Sequence, residues 1–182
     1  KLKNLLYKNT EIFIGSEENV LERFVFCLKK YPSDVIIRAT ADNPFVSLGH
    51  LIISLKKHIE NQNDLTHFLN IPIGSGVEII SPKPLLVAYS NANKTHHFEH
   101  VTPYIYENKN IFKVSELFPN EFYNRNDIRL TVDEKDDFIL AKKIYEKITK
   151  RHKYFSLKNI INTIDITPEL KMINIHVKQK NV

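Results

Sequence analysis

The chain has 182 residues, enough for one domain with a hydrophobic core and too few for two domains of ordinary size. Hydrophobic residues make up 42% and charged residues 26% of the chain, close to the averages for soluble globular proteins, which argues against disorder. No apolar run approaches the roughly 18 residues of a bilayer crossing, so neither a membrane span nor a membrane partner is expected.

The cysteine content and the net charge limit which cellular compartment and which classes of partner are expected. The single cysteine, Cys27, excludes an intrachain disulfide and fits a reducing compartment, so we expect a cytoplasmic protein without a signal peptide. The net charge of +5 comes from 26 basic and 21 acidic residues, an excess that lysines on solvated helix faces also produce. We therefore expect no nucleic-acid partner, and an anionic small substrate explains the charge equally well.

Apolar runs and helical periodicities alternate along the first part of the chain. Residues 11–14 predict a short strand, and Ser16 is the expected cap of the helix that follows it. The nearly continuous apolar run over residues 34–40 predicts a central strand that helices cover on both faces. A second helix is predicted to begin near Ser47.

The middle of the chain continues this alternation. Residues 64–69 and 77–80 predict extended segments, and residues 83–92 predict a helix after the turn-forming Pro82. Residues 95–106 also predict a helix, in which Pro103 is tolerated only at a kink or a helix boundary.

The last third of the chain predicts a strand over residues 127–132 and then a strongly amphipathic helix. Asp133 is the expected N-cap of this helix, with Asp136 in the capping-box position. A short helix is expected over residues 157–164, followed by a polar end after Pro168.

Together these elements predict one α/β domain. Successive strand and helix units favour a three-layer, mixed and mostly parallel sheet with helices on both faces, because parallel neighbours need crossover connections. We expect residues 1–154 to form this domain and residues 155–182 to add a helix and a tail that pack on it.

Two aspartates follow predicted strands, where open α/β sheets bind their ligands. Asp42 comes after residues 34–40, and Asp133 comes after residues 127–132. Two carboxylates that meet there suit Mg²⁺, which takes its other ligands from water and substrate phosphates. The structural alternative is an Asx turn closed by Asp42 before Pro44 and a helix capped by Asp133, and spacing alone favours this alternative.

Further polar candidates lie near the same predicted strand ends. The Gly74-Ser75-Gly76 loop precedes a strand, and its backbone amides allow close approach of a sugar or carboxylate, although a simple turn is the commoner reading. Arg38 and Arg129 each precede an acidic strand end, where an arginine either reaches phosphate or forms a buried ion pair.

Three of the eight histidines lie within residues 95–102, which raises the hypothesis of a zinc site. Histidine spacing without cysteines or a further distant ligand is poor support for zinc. Glu99 and His100 are better candidates for contacts with substrate hydroxyls.

Five segments in a fixed order carry a family resemblance. They are residues 15–23, Ile37-Arg38-Ala39-Thr40-Ala41-Asp42-Asn43-Pro44, residues 72–78, residues 99–105 and Arg129-Leu130-Thr131-Val132-Asp133-Glu134, and the tail over residues 174–180 is also similar. The set resembles the spore coat polysaccharide biosynthesis protein F family. That family is similar to the cytidylyltransferases that make CMP-activated acidic sugars, with the glycosyltransferase A type of nucleotide-diphospho-sugar fold.

The resemblance implies a nucleotidyltransferase of polysaccharide biosynthesis that transfers CMP from CTP to an acidic sugar, forms a nucleotide-sugar and releases pyrophosphate. By motif, Asp42 and Asp133 match the catalytic positions that bind Mg²⁺ in CMP-sugar synthetases. The residues that match the substrate side are Arg38, Gly74, Ser75, Gly76, Glu78, Glu99, His100 and Arg129. Related synthetases commonly pair, which makes a homodimer one expectation.

The sequence departs from this family at one place. Such families open with a strand and a basic, glycine-containing loop that holds the nucleotide triphosphate, and these 182 residues contain no such loop. The chain is therefore expected to correspond to the C-terminal three-quarters of the domain, without its first strand-loop-helix portion. This leaves open whether the chain is active by itself or is a non-catalytic sugar- or nucleotide-binding module of the same fold.

Overall fold

The computed structural model describes residues 10–151 and 155–179, so the end of the predicted tail, from residue 180, lies outside the described residues. In chain order its elements are α1 (Val20–Lys30), β1 (Ile36–Arg38), α2 (Leu48–Asn61), β2 (Leu65–Phe68), β3 (Glu78–Ile80), α3 (Pro82–Asn91), α4 (Thr95–His100), α5 (Pro103–Glu107), β4 (Val114–Leu117), a 3-10 helix (Glu121–Tyr123), α6 (Lys135–Arg151), α7 (Leu157–Asp165) and α8 (Glu169–Met172).

These elements fall into two compact units. Within the described residues, the helical unit comprises residues 10–34 and 82–112 and contains α1, α3, α4 and α5. The sheet unit comprises residues 35–81, 113–151 and 155–179 and contains all four strands with α2, α6, α7 and α8.

The sheet has the strand order β1-β3-β2-β4, and the predicted mixed α/β fold is confirmed. β2 and β4 are parallel, but β3 runs antiparallel to both β1 and β2. Two of the three pairings in this sheet are thus antiparallel, where mostly parallel pairing was expected. The reason is that β2 and β3 are joined by a loop without a helix, and only a parallel pair needs a crossover.

The apolar run over residues 34–40 forms a shorter and more exposed strand than predicted. β1 lies at one edge of the four-stranded sheet instead of its centre. Ile37 is 44% exposed, so among the described residues nothing fully covers the face of β1 on which Ile37 lies. A continuous apolar run therefore did not distinguish a strand covered on both faces from one covered on a single face.

The start of the chain also differs from the prediction. The structure assigns no strand to residues 11–14, where Ile14 is 77% exposed. α1 begins at Val20, and its N-cap is Asn19, whose side chain accepts a hydrogen bond from the Glu22 N–H at 2.9 Å. The Ser16 hydroxyl accepts a hydrogen bond from the Asn19 N–H, so Ser16 lies one turn before the helix and is not its N-cap as predicted.

A buried apolar cluster forms the core of the sheet unit around its C-terminal helices. α6 packs against α7 and α8, and α7 packs against α8. The cluster consists of Phe45, Ile128, Leu130, Leu140, Ile144, Ile148, Leu157, Ile160, Ile161, Ile164 and Leu170. The helix predicted over residues 157–164 is confirmed, whereas the expected polar end after Pro168 contains α8. Burial of Leu170 explains this difference.

The helical unit consists of short helices packed around α1 and α3. α1 contacts α3 and α4, and α5 contacts α3 and α4. The helix predicted over residues 95–106 is two helices, and Pro103 occupies the first turn of the second, where its missing N–H costs nothing. Between them, buried Val101 has φ of 75°, which a β-branched residue rarely adopts. In the described part of the chain, no helix has the length and apolar character that a bilayer crossing requires.

Candidate active site

Three loops of the sheet unit meet through backbone hydrogen bonds. The Ile73 N–H donates to the Ile128 carbonyl at 2.8 Å, and the Leu130 N–H donates back to the Ile73 carbonyl at 2.7 Å. Two residues later the Val132 N–H donates to the Asp42 carbonyl at 2.8 Å. The segment that leads to Asp133 therefore runs from the glycine loop to the Asp42 loop.

The two predicted metal ligands are thus brought to adjacent backbone positions. Asp42 is exposed, and its turn is closed by the Asn43 N–H to the Thr40 carbonyl at 3.1 Å. The Asn43 side chain also donates to the Thr40 hydroxyl at 2.8 Å, which is a different bond from the Asx turn considered for Asp42. The Asp133 side chain remains one-third exposed, at 33%. Carboxylate oxygens of this accessibility are suitable ligands for Mg²⁺.

Asp133 does not cap α6 as predicted, since the helix begins two residues later at Lys135. Its carboxylate accepts a hydrogen bond from the Arg129 guanidinium instead. The capping role belongs to Asp137, whose Oδ2 accepts from the backbone N–H groups of Asp133 at 3.1 Å and Glu134 at 3.0 Å. This replaces the predicted role of Asp136 one residue earlier. Asp137 therefore fixes the backbone that carries Asp133.

A buried ion pair supports this arrangement. Arg129 donates through Nε to Asp137 Oδ1 at 3.0 Å, and Asn174 donates to the same oxygen at 2.8 Å. Arg129 also donates to the Gln179 side chain. The structural alternative considered for Arg129, a buried pair, is therefore present, and the same guanidinium holds Asp133. Arg129 and Asp137 are best described as positioning residues for Asp133.

The charges of this pair are stabilised by their mutual hydrogen bonds. Burial by itself raises the pKa of Asp137, but hydrogen bonds from Arg129, Asn174 and two backbone N–H groups outweigh it and lower the pKa. Burial likewise opposes the charge on Arg129, and the carboxylates of Asp137 and Asp133 outweigh it and raise the pKa of Arg129. Both groups are therefore charged at neutral pH.

The glycine loop packs on the segment that leads to Asp133. Gly74 has φ of +84°, and a Cβ built there would lie 2.4 Å from the Thr131 backbone nitrogen. Its close approach is therefore to protein backbone, which only glycine permits. Ser75 is buried and donates to the Pro72 carbonyl at 2.7 Å, so its hydroxyl stabilises the loop.

A small polar cavity of about 140 Å³ collects other predicted substrate-side residues. Its lining includes Arg38, Thr40, Asn43, Gly76 and Glu78. The Arg38 Nη1 donates to a Glu78 carboxylate oxygen at 2.8 Å, so the ion-pair alternative considered for this arginine is present. The cavity therefore presents the Arg38 guanidinium, the His67 imidazole and the Glu78 carboxylate beside the Asp42 turn.

A larger cavity of about 420 Å³ in the sheet unit is bounded by aromatic rings. The His50 ring makes edge contacts with the rings of Phe68 and Tyr123, with centroid distances of 4.7 Å and 4.9 Å. Its Nδ1 forms a hydrogen bond of 2.7 Å with the Ser47 hydroxyl. Burial lowers the pKa of His50. The residues that line this cavity are mainly apolar, and Lys158 is the lysine among them, so size alone does not make this cavity the candidate site.

The remaining two predicted substrate residues lie in the helical unit. Glu99 and His100 are at the end of α4, with the His100 Nε2 3.9 Å from a Glu99 carboxylate oxygen. Both side chains reach the surface of that unit. Their substrate contacts stay a prediction.

Sequence analysis missed Asp137 and Asn174. The available signal was a second carboxylate, four residues after Asp133, at the start of an amphipathic helix. Asn174 is the first residue of the tail that resembles the family, but no local pattern indicates its contact with a carboxylate 37 residues away.

Comparisons with known proteins identify the family to which this chain is similar. A family model described as cytidylyltransferase matches residues 10–172. An uncharacterised protein of Methanocaldococcus jannaschii is 39% identical over 172 residues, which cover 93% of this chain and 69% of that protein. Spore coat polysaccharide biosynthesis protein SpsF of Bacillus subtilis is 36% identical over 141 residues, which cover 77% of this chain and 59% of SpsF.

A solved structure of a cytidylyltransferase has a similar fold. The structure of a cytidylyltransferase from Leptospira borgpetersenii serovar Hardjo-bovis superimposes with a TM-score of 0.81 at 26% identity. The match covers 96% of this chain and 72% of that one. The chain thus spans about three-fifths to three-quarters of the length of these relatives.

Proposed function

The chain belongs to the cytidylyltransferase family, a family of nucleotidyltransferases, and on that premise we propose that it transfers CMP from CTP to an acidic sugar. The reaction joins an oxygen of the sugar to the α-phosphorus of CTP. The bond from that phosphorus to the bridging oxygen breaks, and pyrophosphate leaves. Likeness to SpsF favours polysaccharide biosynthesis as the process that uses the product.

One observation carries the proposal: the Val132 N–H donates to the Asp42 carbonyl at 2.8 Å, next to Asp133. The two aspartates are 91 positions apart in the sequence, yet their backbones are adjacent. This juxtaposition supports a shared Mg²⁺ site, because Mg²⁺ binds one or two carboxylates together with water and phosphate oxygens. When bound, Mg²⁺ would offset negative charge on the phosphates and on the departing pyrophosphate.

Other residues of the sheet unit have supporting roles in this proposal. Asp137 holds Arg129, and Arg129 orients the Asp133 carboxylate through its hydrogen bond. The small cavity with Arg38 and Glu78 offers a cation for a sugar carboxylate and an acceptor for sugar hydroxyls. Binding there requires the Arg38 guanidinium to share its charge between Glu78 and the substrate.

The test measures pyrophosphate release from CTP by the full-length protein, with a panel of acidic sugars and with Mg²⁺. Asp42→Asn keeps the size of the side chain but removes the charge, so we expect a loss of at least about 100-fold, as for other groups that stabilise transition-state charge. Asp34→Asn, at an exposed aspartate outside the site, is the matched control and should keep wild-type activity.

Calorimetry separates this proposal from the alternative, a non-catalytic binding module of the same fold. A catalytic protein binds CTP more tightly with Mg²⁺, and this gain disappears in Asp42→Asn. A binding module takes up a sugar without any Mg²⁺-dependent binding of CTP. Wild-type pyrophosphate release by Asp42→Asn would reject Asp42 as a metal ligand.

A further inference from the structure

A compact cluster of ionisable side chains joins α4 to α5 in the helical unit. The His96 Nε2 lies 2.6 Å from Glu107 Oε1, and the His97 Nε2 lies 3.1 Å from Glu107 Oε2. One ligand atom from each of the three residues lies within 4.8 Å of the others. The proposed nucleotidyl transfer uses none of these three side chains.

We propose that His96, His97 and Glu107 bind a divalent cation of the zinc class. Imidazole nitrogen and carboxylate oxygen are both common zinc ligands, with bonds of about 2.0–2.2 Å. Neighbouring ligand atoms around a tetrahedral ion with such bonds are about 3.3 Å apart. The two histidines lie 2.6 Å and 3.1 Å from different oxygens of Glu107, and all three ligand atoms lie within 4.8 Å of one another, so side-chain rotations are enough to place one atom of each residue around an ion.

The ligand types select the ion. Two imidazoles and one carboxylate suit Zn²⁺ and its neighbours, whereas Mg²⁺ prefers oxygen ligands throughout. The site is therefore chemically distinct from the pair of Asp42 and Asp133. Three protein ligands leave a fourth tetrahedral position for water.

The hydrogen bonds of His97 have to change when a cation binds. Its Nδ1 accepts from the Asn93 N–H at 3.4 Å, so the neutral ring carries its proton on Nε2 and donates it to Glu107. Metal binding at Nε2 moves the ring proton to Nδ1 and gives up the bond from Asn93. A hydrogen bond of 3.4 Å lies beyond the usual range, so its loss opposes the cation only slightly.

Lys94 is the competitor for this site. Its Nζ lies 2.6 Å from Glu107 Oε2, where it neutralises the carboxylate that a cation would need. More than half of the Lys94 side chain is exposed, at 54%, so the ammonium is able to leave into water. This competition gives the proposal a signature: removal of the Lys94 charge should strengthen metal binding.

A cation here would fix a strained connection. α4 has six residues and α5 has five, too few to be stable without tertiary contacts. They are joined at Val101, with φ of 75° and a hydrogen bond from the Thr102 N–H to the His100 carbonyl at 2.9 Å. This is a γ-turn, which is rare in that form and strained. A cation bound on both sides of the turn would oppose its relaxation.

The test is a calorimetric titration of the full-length protein with Zn²⁺ in excess Mg²⁺, which occupies sites made only of oxygen ligands. We expect one Zn²⁺ per chain. His96→Ala and Glu107→Gln should each weaken binding at least about tenfold, the loss caused by removing even an outer partner of a metal ligand. His176→Ala, at an exposed histidine outside the cluster, is the matched control and should bind as wild type.

Lys94→Met keeps all three ligands, so its result does not depend on whether the ligand variants fold. Tighter Zn²⁺ binding by Lys94→Met supports the proposal, and unchanged or weaker binding overturns it. Co²⁺ in place of Zn²⁺ should give visible absorption bands of a tetrahedral ion, which His96→Ala abolishes. Equal Zn²⁺ affinity in wild type and His96→Ala also overturns the proposal. Neither readout involves CTP, so failure here leaves the proposed transferase activity unaffected.

Discussion

Asp137 in the sheet unit and Glu107 in the helical unit are both carboxylates with several hydrogen-bond donors, and their surroundings differ in kind. The Asp137 side chain is fully buried, with Arg129, Asn174 and two backbone N–H groups as donors. The Glu107 side chain is 37% exposed, and its donors are Lys94, His96 and His97.

The difference lies in what the donors do when a cation approaches. Arginine, asparagine and backbone N–H groups offer no lone pair at the donor nitrogen, so the donors around Asp137 cannot coordinate a metal ion. Neutral imidazole exchanges its proton for a metal, so two of the three donors around Glu107, His96 and His97, are able to become ligands, whereas the Lys94 ammonium is not. Hydrogen bonds to a carboxylate therefore indicate an anchor at Asp137 and a candidate metal site at Glu107, because the donors differ in chemistry.

The largest expected effect is on the buried carboxylate. Asp137→Asn removes the charge that compensates Arg129, which is almost fully buried. Breaking a buried pair by removing one partner costs about 3–5 kcal/mol, and we expect a decrease in the free energy of unfolding of that size. Denaturant unfolding monitored by circular dichroism measures it.

Asp127→Asn is the matched control for that prediction. Hydrogen bonds from Arg125 lower the pKa of Asp127. Burial raises it, but the hydrogen bond from Lys171 adds to the lowering, and the resulting pKa is about 2. Its side chain is 39% exposed, however, so solvent screens the pairing. We expect a loss of less than about 1 kcal/mol, and equal losses for Asp127→Asn and Asp137→Asn would contradict the distinction between the two surroundings.

A smaller effect is expected at the glycine loop of the sheet unit. Gly74→Ala places a methyl group 2.4 Å from the Thr131 nitrogen at φ of +84°. We expect a loss of about 1–3 kcal/mol in the free energy of unfolding and weaker Mg²⁺-dependent binding of CTP, because Thr131 leads to Asp133.

Gly49→Ala provides the contrast, since a Cβ there meets nothing within 4 Å. Gly49 is the second residue of α2, and alanine is favoured over glycine by at most about 1 kcal/mol in helices, so this variant should be as stable as wild type or more stable. A loss of stability in Gly49→Ala equal to that in Gly74→Ala would show that the Thr131 contact is unimportant.

The smallest effect concerns the pH dependence of the Glu107 cluster. Hydrogen bonds from Lys94, His96 and His97 lower the pKa of Glu107 from 4.5 to about 2, against the opposing effect of burial. A lowered folded-state pKa contributes stability above the unfolded value of 4.5, and this contribution is lost as pH falls toward 2. The wild type should therefore be more stable than Glu107→Gln near neutral pH, by an amount that shrinks at acid pH.

Denaturant unfolding of both proteins from pH 6 to pH 2, in metal-free buffer, measures this difference. A gap between wild type and Glu107→Gln that stays constant over this range would mean that the Glu107 charge does not contribute to stability. Added salt should reduce the gap at every pH, since the group is exposed.

Local patterns predicted much of the fold correctly. Helical periodicity located α2 and α3, and of the two places expected for Pro103, a kink or a helix boundary, the structure shows the boundary between α4 and α5. β4 was missed because its four residues place two polar side chains between two apolar ones, which gives no strand alternation. The strand predicted over residues 127–132 is a single bridge, between Ile73 and Arg129.

The sequence by itself determined the order of the motifs, the family resemblance and most helix positions, because periodicity, caps and turns depend on neighbours within a few residues. Only the tertiary structure decided that β1 lies at an edge, that Asp137 anchors Arg129, and that Glu107 meets His96 and His97. Glu107 lies 10 and 11 positions from the two histidines, beyond one helical turn. Contacts over that distance depend on how the chain reverses at Val101, and no local pattern specifies that reversal.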